Sequence, residues 1–239
     1  MIVRLDLSGN TTTPRPFVLV AMALSADGKI ATSNRVVHTF GSPRDLAHLY
    51  ALRATADAVL CGARTVDTGD VHLGPGPACY RRQRLAHGLA ECNLRIVASG
   101  SGSVRLDAPF FTRRFSPILI LTTERPGRRR LIELERAADV VALCGRTKLD
   151  LAAALRWLQT DWHVNRLVCE GGGQLNAALF AANLVDEIQL TLCPFVFGGR
   201  HAPTLADGLG VPRLAQARSF QLRAIRRVRN EAYCVYTRP

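Results

Sequence analysis

A run of three glycines after an apolar segment is the strongest chemical signal in the sequence. Residues 166–169 form a short strand-like segment, Glu170 follows, and Gly171, Gly172 and Gly173 lead into a predicted helix over residues 174–182. Free backbone N–H groups and the helix dipole favour an anion at such a junction, and glycine lets a phosphate approach the backbone closely. The alternative is a tight strand-to-helix turn. Three consecutive glycines exceed what a turn needs, so the pattern favours an anion site.

Glu170 lies between this strand and the glycines. A carboxylate at a strand end can bind a substrate hydroxyl or amine, or act as an acid/base group. It can equally cap the helix that follows. Spacing alone leaves both roles open.

Two further strand ends carry polar groups. After an apolar segment that ends at Cys61, Arg64 is placed to meet a phosphate and Thr65 to donate a hydroxyl hydrogen bond, although a surface arginine and a helix cap explain them equally well. The other is the turn Asp27-Gly28-Lys29, at the kind of strand end where open α/β sheets bind ligands. Lys29 is one of only two lysines among 31 basic residues, which hints that a compact ammonium is needed there.

These junctions require alternating strands and helices, and the hydrophobic pattern supplies them. It predicts an α/β fold with a mainly parallel sheet flanked by helices and antiparallel C-terminal strands. The predicted strands cover residues 17–24, 56–61, 94–98, 118–122, 140–143, 166–169, 187–197, 217–227 and 231–236. The predicted helices cover residues 43–55, 127–138, 149–160 and 174–182, with Ser42 as the first N-cap. We expect a loose arm over residues 1–15, a long loop over 69–93 that can include a short helix, and a single domain over 16–239.

Composition excludes several classes of protein. The chain has 239 residues, 48% of them hydrophobic, but no long uncharged apolar run and no signal-peptide pattern, so we expect no membrane association and a cytoplasmic location. Seven cysteines without a CxxC pair and six histidines without ligand spacing predict neither a disulfide framework nor a metal site.

The formal net charge of +12 raises the hypothesis of a basic nucleotide- or nucleic-acid-binding module without catalysis. The arginines are scattered, however, and no aromatic side chains interleave with them as a stacking platform would require. Attraction of a small phosphorylated substrate is therefore the favoured use of the charge, with no nucleic-acid partner.

Several segments, in the same order, resemble the reductase family of riboflavin biosynthesis over roughly residues 16–237. The matching segments are residues 23–31, 52–66, 170–176, 184–187, 194–200 and 202–204. The resemblance implies a dihydrofolate-reductase-like fold, a homodimer, and NADPH as the hydride donor that reduces the ribosylamino group of an aminopyrimidine 5′-phosphate to ribitylamino. No deaminase motif precedes these segments, so we expect a stand-alone reductase.

The resemblance also implies site residues. Substrate contacts fall on Lys29, Arg53 and Glu170, of which Lys29 and Glu170 are expected to orient the substrate and handle protons. Cofactor contacts fall on Ala23, Thr65, Ser99, Gly172, Gly173, Gln174, Leu175 and Asn176.

The segment after Thr65 departs from the family pattern. The family usually has Asp-Asp-Pro or Asp-Asn-Pro, then leucine, and later an arginine for the substrate phosphate. Here Asp70 remains, Val71 replaces the proline, and the arginine position falls near Gly76; the usual tryptophan position falls near His38. Two interpretations stay open. An arginine of the long loop restores the phosphate contact (Arg81, Arg82 or Arg84), or the substrate is a different pyrimidine or a pterin.

Overall fold

The computed structural model describes residues 1–7, 14–36 and 39–239, which include ten strands of one sheet. The strands are β1 Ile2–Arg4, β2 Phe17–Ser25, β3 Ala58–Gly62, β4 Leu94–Ala98, β5 Ile118–Thr122, β6 Val140–Leu143, β7 Arg166–Cys169, β8 Glu187–Cys193, β9 Gln221–Val228 and β10 Glu231–Thr237. The helices are α1 Pro43–Arg53, α2 Ala63–Thr68, α3 Ala78–Ala86, α4 Pro109–Thr112, α5 Arg128–Ala137, α6 Leu151–Trp162 and α7 Gly173–Ala181, and a 3₁₀ turn covers Leu214–Gln216.

The sheet has the order β1-β6-β5-β4-β3-β7-β2-β8-β10-β9. All pairs from β1 to β8 are parallel, and β10 pairs antiparallel with both β8 and β9. The predicted mainly parallel α/β sheet with an antiparallel C-terminal hairpin is confirmed.

Helices cover both faces of the sheet, so successive residues of the central strands are all buried. Along β3, Leu60 packs with the core that includes Leu155 of α6 and Leu179 of α7. Its neighbour Val59 faces the opposite core, with Val66 of α2 and Leu134 of α5. Burial on both faces explains why these strands are continuous apolar runs rather than alternating ones.

The predicted start of α1 is also confirmed. The Ser42 side chain accepts hydrogen bonds from the backbone N–H groups of Arg44 and Asp45, at 3.2 and 3.4 Å. Its hydroxyl donates to Glu231 Oε2 at 2.6 Å, which fixes the start of α1 against β10.

The structure differs from the sequence prediction at several connections. Residues 2–4, placed in a loose arm, form edge strand β1 and pair with β6, while residues 8–13 of that arm lie outside the described part. The turn predicted at residues 62–63 is the start of α2. The short helix that the prediction allowed within the long loop is present as α3. Strand β8 ends at Cys193, directly before Pro194, because proline cannot donate to the ladder. Short helices such as α2 and α4 carry too few turns to show periodicity.

Among the helices of residues 1–7, 14–36 and 39–239, none has the length and apolar character needed to span a bilayer.

Candidate active site

Two adjoining cavities open near the carboxyl ends of the central strands. The larger has a volume of about 850 Å³ and the smaller about 330 Å³. Four residues line both of them: Met22, Ile30, Thr65 and Glu170. Molecules bound in the two cavities would therefore meet at these four residues. This is the edge at which open α/β sheets bind their ligands.

The larger cavity runs across successive strand ends. Ser99 follows β4, Gly62 ends β3, Gly172 follows β7, and Met22 belongs to β2. These four strands are neighbours in the sheet, so the cavity extends roughly 14 Å at about 4.8 Å per strand spacing. Helix α7 starts at its floor, and no side chain caps its N-terminus at Gly172. The predicted anion site therefore has a free helix terminus inside an elongated cavity.

The glycines at this terminus differ in what surrounds them. A Cβ on Gly172 would meet only Thr65 Oγ1, at 3.6 Å, so the chain itself leaves room for a side chain. A Cβ on Gly173 would lie 2.6 Å from the carbonyl oxygen of Thr204 and 2.5 Å from Asp207 Oδ2. Glycine is thus required at position 173 by the neighbouring loop. At position 172 it leaves space for a molecule to approach the backbone.

That loop, residues 194–207, is tied down at both ends. The Asp27 carboxylate accepts hydrogen bonds from the Ser25 hydroxyl at 2.6 Å and from the N–H of Gly198 at 2.8 Å. These hydrogen bonds lower the pKa of Asp27 to about 2, that from Ser25 most. At the other end, the N–H of Asp207 donates to the carbonyl of Gly173 at 2.9 Å. The loop therefore links the β2 turn to the start of α7 across the site.

Glu170 is held in a buried ion pair. Arg53 Nε and Nη2 donate to its two carboxylate oxygens at 2.5 and 2.7 Å, and both side chains are about nine-tenths buried. Arg53 Nη1 donates to the carbonyl of Gly74 at 2.7 Å. Burial lowers the pKa of Arg53, but Glu170 outweighs it and the net direction is upward. A bidentate pair fixes the carboxylate plane. Glu170 does not cap α7, so that alternative is wrong.

The smaller cavity has two ends of different charge. One end is lined by Asp45, His48 and two side chains of β8, Gln189 and Thr191. The other is lined by residues 70–73, including His72, which follow β3 and α2; strands β7 and β2 lie between β3 and β8 in the sheet. Burial raises the pKa of Asp45, whereas burial and nearby arginines lower that of His72.

Comparison with known proteins shows which family has this arrangement. Residues 16–232 match the sequence model of the family described as the RibD C-terminal domain. It is 34% identical to the 2,5-diamino-6-ribosylamino-4(3H)-pyrimidinone 5′-phosphate reductase of Archaeoglobus fulgidus over 81% of this chain and 87% of that protein. The enzyme of the same name from Methanothermobacter thermautotrophicus is 32% identical, over 87% of this chain and 92% of that protein.

The chain belongs to the RibD C-terminal domain family. A pyrimidine reductase-like protein from Corynebacterium diphtheriae has the same fold, with a TM-score of 0.75 at 20% identity over 93% of this chain and 91% of that chain. The predicted family and its dihydrofolate-reductase-like fold are confirmed. Membership makes the chain an oxidoreductase and implies a nicotinamide cofactor.

The structure brings most of the predicted site residues together around the two cavities. Thr65 and Glu170 line both cavities, Ala23 and Arg53 line the smaller one, and the larger one is lined by Ser99, Gly172, Gly173, Gln174 and Leu175. Lys29 lines neither cavity; it pairs with Thr204 in an isolated bridge, one residue before Ile30. Asn176 is buried below the site and donates to the carbonyl of Leu205 at 2.9 Å. The roles of these residues stay predictions.

The loop arginines proposed for the substrate phosphate lie elsewhere. Arg84 is buried, and its guanidinium donates to the carbonyls of Arg53, Ala56 and Ala90 at 2.6–2.8 Å. Arg81 pairs with Glu91 at 3.2 Å, and Arg82 is exposed outside both cavities. Both Arg81 and Arg84 are thus engaged by other parts of the protein. His38 lies outside the described residues.

Replacing Arg84 with leucine tests this structural role. The change removes three hydrogen bonds from a buried guanidinium, while Asn93 Nδ2 still donates to the carbonyls of Arg53 and Ala56, so we expect a loss of about 2–3 kcal/mol in the free energy of unfolding, measured with urea. The exposed Arg82→Leu change should alter it by less than about 0.5 kcal/mol. A stable Arg84→Leu protein with a raised KM would instead assign Arg84 to the substrate.

Sequence reasoning missed several residues that line the cavities of this family member. Lys148 lines the larger cavity, and Asp45, His48, Gln189 and Thr191 line the smaller one. Lys148 could have been singled out from the sequence, since it is the second of only two lysines. The other four are single polar residues of α1 and β8 without a motif. Within the described part of the chain, no three histidine, cysteine or acidic side chains group as a metal ion requires.

Proposed function

We propose that this chain uses NADPH to reduce the ribosylamino group of an aminopyrimidine 5′-phosphate to ribitylamino, in riboflavin biosynthesis. The observation that carries the proposal is the junction of the two cavities. An elongated cavity with an uncapped helix terminus meets a smaller polar cavity at Glu170, in a chain whose relatives are named as reductases of this substrate class.

The residues of the larger cavity favour one orientation of a bound dinucleotide. The start of α7 suits the pyrophosphate, because Gly172 leaves space beside free backbone N–H groups. Met22, Ile30 and Thr65, where the cavities join, would hold the nicotinamide, and Ser99 after β4 would contact the adenosine part. When bound, the cofactor supplies the hydride.

Two cations favour NADPH over NADH. Arg64 and Lys148 line the same cavity as Ser99 and Ser101, and neither forms an ion pair with any described carboxylate. A site that prefers NADH usually places a carboxylate on the ribose hydroxyls, and a site for NADPH places a cation there. Asp67 also lines the cavity, but its carboxylate accepts the N–H of Arg105 at 2.7 Å.

The chemistry requires positioning and proton transfer. The C1′–O4′ bond of the ribosylamine breaks as O4′ gains a proton and the amine nitrogen loses one, which gives an open-chain imine. Hydride then adds to C1′, and a proton adds to nitrogen. The protein must hold C1′ against the hydride donor and stabilise the polarised imine. Glu170 is the acidic group that lines both cavities at this point.

Arg53 then acts on the substrate through Glu170. Its Nε, Nη1 and Nη2 atoms all donate to protein oxygens, so it serves as a positioning residue for the carboxylate. Lys29, in the adjacent β2 turn, is proposed to orient the substrate from the entrance.

The test is oxidation of NADPH, followed by absorbance, with the ribosylaminopyrimidine phosphate in its diamino and its deaminated form. We expect oxidation with at least one form, and a much lower rate with NADH. If neither form supports oxidation while NADPH still binds tightly, the second candidate holds: a reductase of the same fold for another pyrimidine or a pterin. The altered segment around Val71 and His72 favours that candidate.

We also infer a homodimer in the cytoplasm. Strand β9 is a sheet edge with exposed Leu222 and Ile225, 52% and 66% accessible, which another chain would cover. All seven cysteines are free thiols, as is usual in a reducing compartment. Light scattering in solution should give twice the mass of the chain; the mass of one chain would contradict the dimer.

A further inference from the structure

We propose that His72 and Arg113 form the binding site for the substrate 5′-phosphate. The inference rests on the proposed function, since it locates one group of that substrate. His72 lines the smaller cavity, and the Arg113 guanidinium lies 3.5 Å from the carboxylate of Asp70, which lines the cavity as well.

The local structure holds His72 in one orientation. Its Nδ1 accepts the backbone N–H of Gly74 at 3.0 Å, so the ring proton lies on Nε2, which is a hydrogen-bond donor. The Phe115 ring packs edge-to-face against the imidazole, with centroids 6.1 Å apart. A Cβ on Gly74 would lie 2.7 Å from Nδ1, so glycine is needed for this arrangement. The imidazole is therefore a preorganised donor in the smaller cavity.

The surroundings of His72 are positively charged. After burial, Arg53 and Arg113 are the largest influences on its pKa, and both lower it; Asp70 opposes them. The positive potential that disfavours a second proton on the imidazole favours a phosphate beside it. This end of the cavity therefore matches a dianion in charge as well as in hydrogen bonding.

The backbone of Arg113 is held by a hydrogen bond, whereas its guanidinium group is partly exposed to solvent. Its carbonyl accepts a hydrogen bond from Arg95 Nη1 at 2.9 Å, and the Arg95 guanidinium lies 4.0 Å above the Phe115 ring. The Arg113 side chain is half exposed and is 3.5 Å from the Asp70 carboxylate. An exposed pair of this kind is weak, so a phosphate can replace Asp70 as its partner.

Other locations for the phosphate fit less well. The opposite end of the cavity contains Asp45, whose neighbour Glu231 adds a second negative charge. Arg53 is occupied by Glu170, and Arg84 by backbone carbonyls. Of the loop arginines, Arg81 is engaged by Glu91. The end with Asp45 is thus left for the heterocycle.

The test compares the 5′-phosphate substrate with the same riboside lacking phosphate. We expect Arg113→Gln and His72→Phe each to lower kcat/KM for the phosphate by about 10- to 100-fold, because each removes a hydrogen bond to a charged group. The lower activity on the riboside should change less than twofold. The control Arg82→Gln, an exposed arginine outside both cavities, should change neither.

Equal losses on both substrates would overturn the proposal, as would no loss on the phosphate. Inhibition by ribose 5-phosphate gives a second measurement, and it still applies if His72→Phe fails to fold: its inhibition constant should rise about tenfold or more in Arg113→Gln, and an unchanged constant overturns the site. Failure of the proposed function is distinguishable, because the wild-type protein would then oxidise NADPH with neither pyrimidine.

Discussion

Replacing Glu170 with glutamine is expected to lower kcat by about 10²- to 10⁴-fold, the range for loss of a positioned acid/base group. The amide keeps the shape of the carboxylate but loses its charge and half of its capacity to accept hydrogen bonds from Arg53. The Kd for NADPH should stay within a few-fold, since the proposed pyrophosphate contacts are backbone N–H groups at the start of α7 rather than this side chain. Single-turnover kinetics and cofactor fluorescence separate the two quantities.

Arg53→Lys provides the matching variant. Lysine keeps the charge but cannot form the bidentate pair, so kcat should fall while the KM for the pyrimidine changes little. Because both residues act through one carboxylate, the double variant should be hardly slower than Glu170→Gln alone. Full activity of Glu170→Gln would remove Glu170 from the chemistry, and additive losses would mean that Arg53 contacts the substrate independently.

Replacing Gly172 with valine is expected to weaken NADPH binding by about 100-fold or more, through overlap with the cofactor. The chain itself has room, since a Cβ there meets only Thr65 Oγ1 at 3.6 Å. We therefore expect the melting temperature of the free protein to change by only a few degrees. Titration of the variant with NADPH, followed by fluorescence, measures the effect.

Gly173→Ala is the control for this prediction. Its Cβ would lie 2.6 Å from the Thr204 carbonyl oxygen, so the loss should appear in the stability of the free protein, by about 1–3 kcal/mol. Normal NADPH affinity in Gly172→Val would place the pyrophosphate elsewhere in the cavity.

The sheet could be predicted from the sequence because its central strands are buried on both faces. Residues such as Val59 and Leu60 form continuous apolar runs, and β6 and β7 were predicted with their observed bounds. Edge strand β1 was missed, since three residues near the terminus give no pattern. Helix α2 has only six residues, too few to show a period, and α3 lies in a Gly- and Pro-rich region whose structure depends on tertiary contacts such as those of the buried Arg84.

The site was predictable where a backbone requirement leaves a sequence signal. Gly172, Gly173 and Glu170, which the sequence pattern singled out, line the larger cavity; their roles stay predictions. The ion pair between Arg53 and Glu170 was not predictable. The two residues are 117 positions apart in the sequence, and only the fold brings them to hydrogen-bonding distance. The smaller cavity combines single residues from α1, β8 and the segment around His72, which share no motif.

Transfer of deuterium from the cofactor to the product tests the central claim most directly. The wild-type protein is incubated with the aminopyrimidine substrate and NADPH carrying deuterium on either face of the nicotinamide C4. We expect mass spectrometry to show one deuterium at C1′ of the ribitylamino product, with one of the two labelled cofactors only. A reduced product without deuterium from either cofactor, or NADPH oxidation without any ribitylamino product, would contradict the account.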